Sequence, residues 1–369
     1  MSKLLFKIKI IILAIMVAAT FTVPAYAAEK EKTVTIMFTG DLMCSPGMQE
    51  AAFNGTSYDF DYMLKYAKQV FSKADYVVGN LETNITENYP YSKDLYRVML
   101  KPSLNSPIEY LSALKKAGFD GLVMANNHNC DYGTDGIRDT IEAVEEYGFD
   151  HTGLYKSKND DHYFMIEKNG FKIGVLAYAT YFNQKEDLLT DSQQKNMLSK
   201  LTQKRIETDV KALKEAGAEY IVAYNHCGTE YSQVAAARQT RYFNMMADAG
   251  VDYLIGSHPH VLQRADKIKK DGKTIPTMYS MGNFISSLSN EHVDETLILS
   301  VTLKKTKDGV VKLKEHSYIP CYMADVWNEE QYVLIPKGYE DTASEEKEQE
   351  ALTAFSNVKK VVEKKIKWR

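Results

Sequence analysis

Cysteine is scarce in this 369-residue chain: Cys44, Cys130, Cys227 and Cys321 are the whole complement. No two of them form a CxxC pair, so the usual zinc-ribbon spacing is excluded. A basic surplus is also missing, with 45 Lys and Arg against 49 Asp and Glu and a formal charge of −4. Duplex DNA needs a basic face to neutralise its phosphates, so no nucleic-acid partner is expected. There is no internal repeat and no low-complexity linker. What is present is 44% hydrophobic and 25% charged residues, which suits one large globular domain or two ordinary ones with ample core.

The N-terminus reads "MSKLLFKIKIIILAIMVAATFTVPAYAAEK". A basic start, an apolar run over residues 10–23 and the small-residue pattern Ala25-Tyr26-Ala27 predict a secretory signal over residues 1–27. The rival reading is an uncleaved membrane anchor through residues 10–23, although the run is short for a span and meets Pro24. Both place the protein outside the cytoplasm, extracellular or at the cell surface. No cysteine follows the leader, so lipoprotein attachment is unsupported. Removing Lys3, Lys7 and Lys9 takes the charge from −4 to −7 (−4 − 3).

Downstream, one theme recurs: a short apolar run, a polar tip, then an amphipathic segment. "KTVTIMFTGD", "DYVVGNLE", "FDGLVMANNH", "FKIGVLAYAT", "AEYIVAYNHCG" and "VDYLIGSHPH" read as strands, and "VLQRADKI" and "KTIPTMYSMGNF" as two more. Between them, "FDYMLKYAKQVFSKA", "DGIRDTIEAVEEYG", "LTQKRIETDVKALKEAG" and "VAAARQTRYFNMMADAG" carry helical periodicity. "SPIEYLSALKKAG" adds a helix with Ser106 as cap, Pro107 at its first position and Gly118 at its end. Such alternation predicts a layered α/β fold with mixed sheets. Residues 294–318 predict a hairpin around Asp308-Gly309, and residues 321–369 a C-terminal extension with a charged, solvated helix. The polar segment 183–200 interrupts the rhythm and reads as a surface insertion or a lid.

Layered α/β sheets place ligands beyond the carboxyl ends of their strands, and the polar tips lie at such ends. They carry Asp41, Asn80 and Glu82, Asn127 and His128, His226, and the pair His258 and His260. A histidine after a strand is commonly a hydrogen-bonded loop residue, and Asp41 beside Gly40 reads equally as a turn. The joint occurrence points to metal. Residues two apart in an extended segment face the same way, so His258 and His260 can share one centre. Imidazole nitrogen mixed with carboxylate oxygen suits Mn, Fe or Zn, and two ions clamped by a bridging Glu82 could lower the pKa of a bound water. His128, oriented by Asp131, is then a candidate general acid. Asn80, Asn126, Glu230 and Asn283, on the same tips, are candidate substrate contacts. His151, His162, His292 and His316 lack this context and read as structural or surface residues.

"FTGDLM", "GNLET", "ANNHNCDYG", "HCGTEY", "GSHPHVLQ" and "YSMGNF" occur in this order. In that order they resemble the CapA/PgsA-like poly-γ-glutamate capsule-synthesis family, from about Thr33 to Phe284. That family resembles the calcineurin-like metallophosphoesterases, which implies an α/β/β/α sandwich over residues 33–320 and a site for one or two divalent ions. The resemblance implies Glu82, Asn127, His226 and His258 for one ion, and Asp41, Glu82 and His260 for the other. Met43 stands where the phosphoesterase pattern has histidine, Glu82 where it has a bridging aspartate, and Cys227 where the family commonly has tryptophan. Cys44, Cys130 and Cys227 read as small buried residues, as a disulfide between two of them, or as thiolate ligands. The implied role is synthesis or export of an anionic surface polymer. Its carboxylates would be held by metal and by Arg97, Arg138 or Arg264, with a membrane-bound synthase as a partner. A metal-dependent phosphoesterase or amide/ester hydrolase, and a non-catalytic polymer-binding scaffold, are the alternatives.

Overall fold

In strand Tyr220–His226, side chains alternate between two environments, and both are buried. Tyr220, Val222 and Tyr224 join one apolar cluster, whereas Ile221 and Ala223 join another. Strand Phe171–Ala179 behaves alike: Ile173, Val175, Ala177 and Ala179 face the first cluster, Leu176 and Tyr178 the second. A strand buried on both faces lies inside a layered protein, and the near-continuous apolar runs noted in the sequence are its signature. Each Val, Leu or Ile so buried contributes roughly 1.5–3 kcal/mol relative to exposure.

A computed structural model describes residues 32–95 and 103–363. The leader, and with it both readings of the N-terminus, lies outside the described residues, as does Arg97. In chain order the strands are β1 (Thr33–Leu42), β2 (Tyr76–Leu81), β3 (Asn84–Ile85), β4 (Asn105–Ser106), β5 (Gly121–Val123) and β6 (Asp150–Thr152). There follow β7 (Phe164–Lys168), β8 (Phe171–Ala179), β9 (Tyr220–His226), β10 (Tyr253–Ser257), β11 (Ala265–Lys270) and β12 (Lys273–Met278). The last are β13 (Asn283–Ile285), β14 (Glu295–Lys305), β15 (Val311–Trp327) and β16 (Glu330–Pro336).

One sheet runs in the order β16-β15-β14-β1-β2-β5-β6, with β13 against the end of β1, and the second in the order β11-β12-β10-β9-β8-β7. In the first, β1, β2, β5 and β6 are parallel and β14 to β16 antiparallel. In the second, β8, β9, β10 and β12 are parallel, with antiparallel edges. The sheets meet face to face: the Phe38 and Tyr224 rings lie 6.2 Å apart, and the Tyr224 hydroxyl donates to the Thr39 carbonyl at 3.2 Å. Helices Gln203–Glu215 and Ala237–Ala249 cover the far face of the second sheet through Val210, Leu213, Phe243 and Met246. Helix Glu345–Val362 and Lys65–Phe71 pack on the antiparallel strands of the first. The result is the expected four-layer α/β/β/α sandwich of mixed sheets.

Two local expectations need correction. Ser106 does not cap a helix: it pairs with Ile85 in β3–β4, its hydroxyl is taken by Thr83 at 2.7 Å just before β3, and the helix Glu109–Ala117 starts later, with Ile108 as cap residue. Gly118 does end it, in the left-handed conformation (φ 108°). The expected hairpin is β14–β15, but β15 runs unbroken through residues 320 and 321. The C-terminal helix is not solvated all round either. Ala351, Phe355, Val358 and Val362 are buried, while Glu345, Glu346 and Glu348 at its start and Lys359 and Lys360 at its end suit the helix dipole. Among the described residues no helix is long and apolar enough to cross a membrane.

Candidate metal centre

Parallel pairing brings the carboxyl ends of β1, β2 and β5 together in one sheet, and those of β9 and β10 in the other. Asp41 and Asn80 are register partners, as are Ser257 and His226. Glu82 follows β2 directly. Asn80 Nδ2 donates to Asp41 Oδ1 at 2.7 Å within its sheet and, across the sheets, lies 3.4 Å from His226 Nδ1. His226 Nδ1 meets Ser257 Oγ at 2.9 Å, and its Nε2 meets Asn127 Oδ1 at 2.8 Å and stands 3.5 Å from Glu82 Oε1. The structure thus gathers Asp41, Asn80, Glu82, Asn127, His226, His258 and His260 into one buried cup.

Within the cup the ligand-type atoms fall into two groups, each with its atoms within 4.8 Å of one another: Glu82, His226 and His258; and Asp41, Glu82 and His260. Glu82 is common to both. It is fully buried, yet neither of its oxygens has a hydrogen-bond partner among the described residues, and neither does His258 Nδ1. A buried carboxylate without donors is costly. Burial, reinforced by the neighbouring Asp41 carboxyl, pushes Glu82 well above the ordinary range, and burial raises Asp41 despite His260 beside it. The imidazoles move the other way: burial holds His226 well below its usual value, lowers His260, and takes His258 down to about 3. Neutral imidazoles, with His258 Nδ1 unpartnered among the described residues, beside buried carboxyls that lack donors form a set that a divalent cation suits.

His258 and His260 converge, with ring centroids 6.1 Å apart, but not by strand alternation. Both adopt the left-handed backbone region, φ 92° and φ 60°. For a residue with a side chain this is strained by about 1–3 kcal/mol. His258 N–H donates to Asp41 Oδ2 at 3.2 Å and His260 Nδ1 meets Asn283 Oδ1 at 2.9 Å.

At the side of the cup, His128 Nδ1 meets Asp131 Oδ2 at 2.7 Å. Burial alone would raise Asp131, but His128 and Lys185 outweigh it and hold its carboxyl below the usual value. Lys185 Nζ donates to Asp131 Oδ1 at 2.7 Å, and Asn183 Oδ1 accepts from Asn127 Nδ2 at 3.1 Å. The polar segment 183–200 therefore reaches the site. Sequence reading missed Asn183, Lys185 and Ser257; the signal for the first two was that segment's break in rhythm, and for Ser257 its place inside the GSHPH tip. Among the candidate substrate contacts, Asn126 has its amide engaged by the Leu81 carbonyl and its oxygen by the His128 N–H, which shapes the turn. Glu230 is exposed and acts on the cup only as a charge felt by Glu82. Asn80 Oδ1 and Asn283 Nδ2 are buried without hydrogen-bond partners among the described residues.

All four cysteines are free and buried, so the disulfide reading is corrected. Their surroundings differ: Cys44 lies by Ser106 and Gln49, Cys130 by Asp131 and Glu186, Cys227 by Asn225 and Arg238. Burial pushes each of these three thiols up to about 12, which opposes thiolate ligation. Arg138 is exposed, and Arg264 is engaged by Asp266 and the Tyr279 ring.

The histidines give the metal-free protein a defined acid sensitivity. A histidine whose folded value is depressed contributes stability that is full above 6.5 and lost as pH falls toward its folded value, which for His258 is about 3. Asp41 and Glu82, raised by burial, act in the opposite sense. Melting temperatures of metal-free wild type and His258→Gln between these limits are expected to differ in slope, with the variant falling less steeply; parallel slopes would count against a buried neutral His258.

A four-layer α/β/β/α protein with a buried, two-part cup of nitrogen and oxygen donors is the class that fold and site define. The chain belongs to the bacterial capsule synthesis protein PGA_cap family, whose model matches residues 35–288 and so includes every cup residue. Similar proteins include the capsule biosynthesis protein CapA of Bacillus anthracis, 29% identical over 82% of this chain and 76% of that one. The PGA biosynthesis protein CapA of Bacillus subtilis is 26% identical over 81% and 76%. Among solved structures, the calcineurin-like phosphoesterase YfkN from Bacillus subtilis aligns with a TM-score of 0.47 at 14% identity, over 89% of this chain and 99% of that one. The Thermus thermophilus sulfate thiohydrolase SoxB aligns with a TM-score of 0.45 at 11% identity, over 88% and 60%.

Proposed function

We propose that this chain is exported and acts in the synthesis or export of an anionic surface polymer of the poly-γ-glutamate type, through divalent metal held in the cup. Family membership supports the polymer, and one observation carries the metal: a fully buried Glu82 with both oxygens unpartnered between two sets of neutral histidines. Glu82, Asn127, His226 and His258 would hold one ion of Mn, Fe or Zn. Asp41, Glu82 and His260 would hold a second more weakly, since Met43 adds no hard donor. A bound ion would polarise a substrate oxygen and acidify a bound water.

The chain's own residues supply the rest. Asp131 fixes the His128 ring through Nδ1, which leaves Nε2 as the atom for proton transfer. Lys185 keeps Asp131 ionised. This dyad favours a second reading, a metal-dependent phosphoesterase or amide/ester hydrolase at the cell surface. A membrane-bound polymer synthase is the partner that the first reading calls for.

Deleting the chain from its producing cell is expected to abolish surface polymer, with restoration by wild type and not by His226→Ala. Unchanged polymer in the deletion strain overturns the first reading. Turnover of phosphoester or γ-glutamyl substrates with Mn²⁺, lost in His128→Ala while bound metal is kept, would establish the second. Metal retention and polymer binding with no turnover on either panel would leave the scaffold.

A further inference from the structure

The segment that reaches the cup through Asn183 and Lys185 has another side. Phe182 and Glu186, flanking those residues, line a separate cavity of about 540 Å³ between this segment and the start of helix Gln203–Glu215. At its wall lies the buried Asp209, which accepts from His162 Nδ1 at 3.0 Å and from the Tyr178 hydroxyl at 3.2 Å. These contacts hold Asp209 in place and leave its negative charge in the cavity wall. The Arg205 guanidinium lies against His162, 2.9 Å from Nε2, and donates to the Lys195 carbonyl at 2.9 Å. Among the described residues no carboxylate pairs with it.

Lys158, Lys195, Lys200 and Lys204 also line the cavity, and no carboxylate pairs with these ammonium groups among the described residues. Five cations, Arg205 included, therefore face three acids, Glu186, Asp191 and Asp209, and positive charge is in excess. In a chain of net charge −4 this is a local reversal of sign. Unpaired cations lining a concavity concentrate anions there, and the first turn of helix Gln203–Glu215 adds its partial positive charge.

We propose that this cavity is an anion subsite that takes carboxylate groups of a polymeric substrate whose reacting part lies at the cup. The inference rests on the polymer reading above, and the segment from Phe182 to Lys200 joins the two sites. Carboxylate and phosphate share the chemistry that the cavity recognises, so the test separates them.

Full-length metal-loaded protein is titrated with a fluorescent γ-glutamate oligomer and, separately, with polyphosphate of matched charge. Wild type is compared with the triple variant Lys195→Gln, Lys200→Gln, Lys204→Gln, whose three side chains are exposed and outside the core. The Kd for the γ-glutamate oligomer is expected to rise about tenfold, as for three partly screened ion pairs. Its dependence on salt should become shallower, with metal content unchanged. An unchanged Kd for the oligomer, or wild type that binds neither probe, overturns the subsite. A loss confined to polyphosphate overturns the carboxylate assignment. These failures are distinct from that of the cup: a deletion strain with normal polymer defeats the polymer reading whatever the cavity binds, whereas a triple variant that binds the oligomer like wild type defeats only the cavity.

Discussion

Glu82→Gln should fold, hold almost no divalent metal and be at least as stable as metal-free wild type. Glu82 is the one group common to both ligand clusters, so neutralising it weakens both at once. Loss of a residue that merely supports a ligand typically costs 10–100-fold in metal affinity; loss of the shared ligand should exceed about 100-fold. Stability moves the other way in the metal-free state. Wild type then buries a carboxyl with no donor, pushed up by burial and by Asp41, and the uncharged amide removes that cost. Wild type should gain about 2.7 kcal/mol when metal stands at a hundred times its Kd, and the variant should gain nothing. Elemental analysis and melting curves with and without metal read both effects. A variant that retains wild-type metal, or a metal-free variant several kcal/mol less stable than metal-free wild type, would refute a bridging Glu82 and leave the carboxyl a structural role.

The sheets were legible because strands buried on both faces write long apolar runs, and the cup because its donors sit where those runs end. Where local rules were pushed further, tertiary context prevailed. The pair His258 and His260 was found by assuming an extended backbone, whereas both residues are left-handed and held by Asp41 and Asn283 from β1 and β13. Ser106 looked like a cap because serine before proline and an amphipathic run is a helix start; Thr83, just before β3 and more than twenty residues earlier, claimed its hydroxyl instead. Lys185 and Asn183 had no motif at all. Their role comes from the path of segment 183–200 across Asp131 and Asn127, which no local pattern encodes. The cysteines that bracket the motifs proved to be separate small core residues, since adjacency to a tip in sequence does not fix the direction of a side chain.

Two glycines link the fold to the cup and should prove irreplaceable for the same reason. A Cβ at Gly40 would lie 2.0 Å from the Gly282 carbonyl oxygen and 3.0 Å from that of Met281. Both obstacles are backbone, so no rotamer change relieves them. This close approach lets the Asp41 N–H donate to the Gly282 carbonyl at 3.0 Å, in step with the β1–β13 pairing, and so sets the Asp41 carboxylate against Asn80 and the His258 N–H. Gly40→Ala is therefore expected to destabilise the protein by about 3 kcal/mol, the upper end for forced overpacking. In whatever remains folded it should draw Asp41 away from His260. Gly256→Ala meets the Tyr279 carbonyl oxygen at 1.9 Å and precedes Ser257, which holds His226 Nδ1. Its damage should fall on the His226 and His258 cluster instead. Denaturant titration measures the stability loss, and metal stoichiometry below the unfolding midpoint separates the two halves. Gly40→Ala with wild-type stability and full metal would show that β1 can retreat from β13 without moving Asp41, and the coupling of strand packing to the cup would fail.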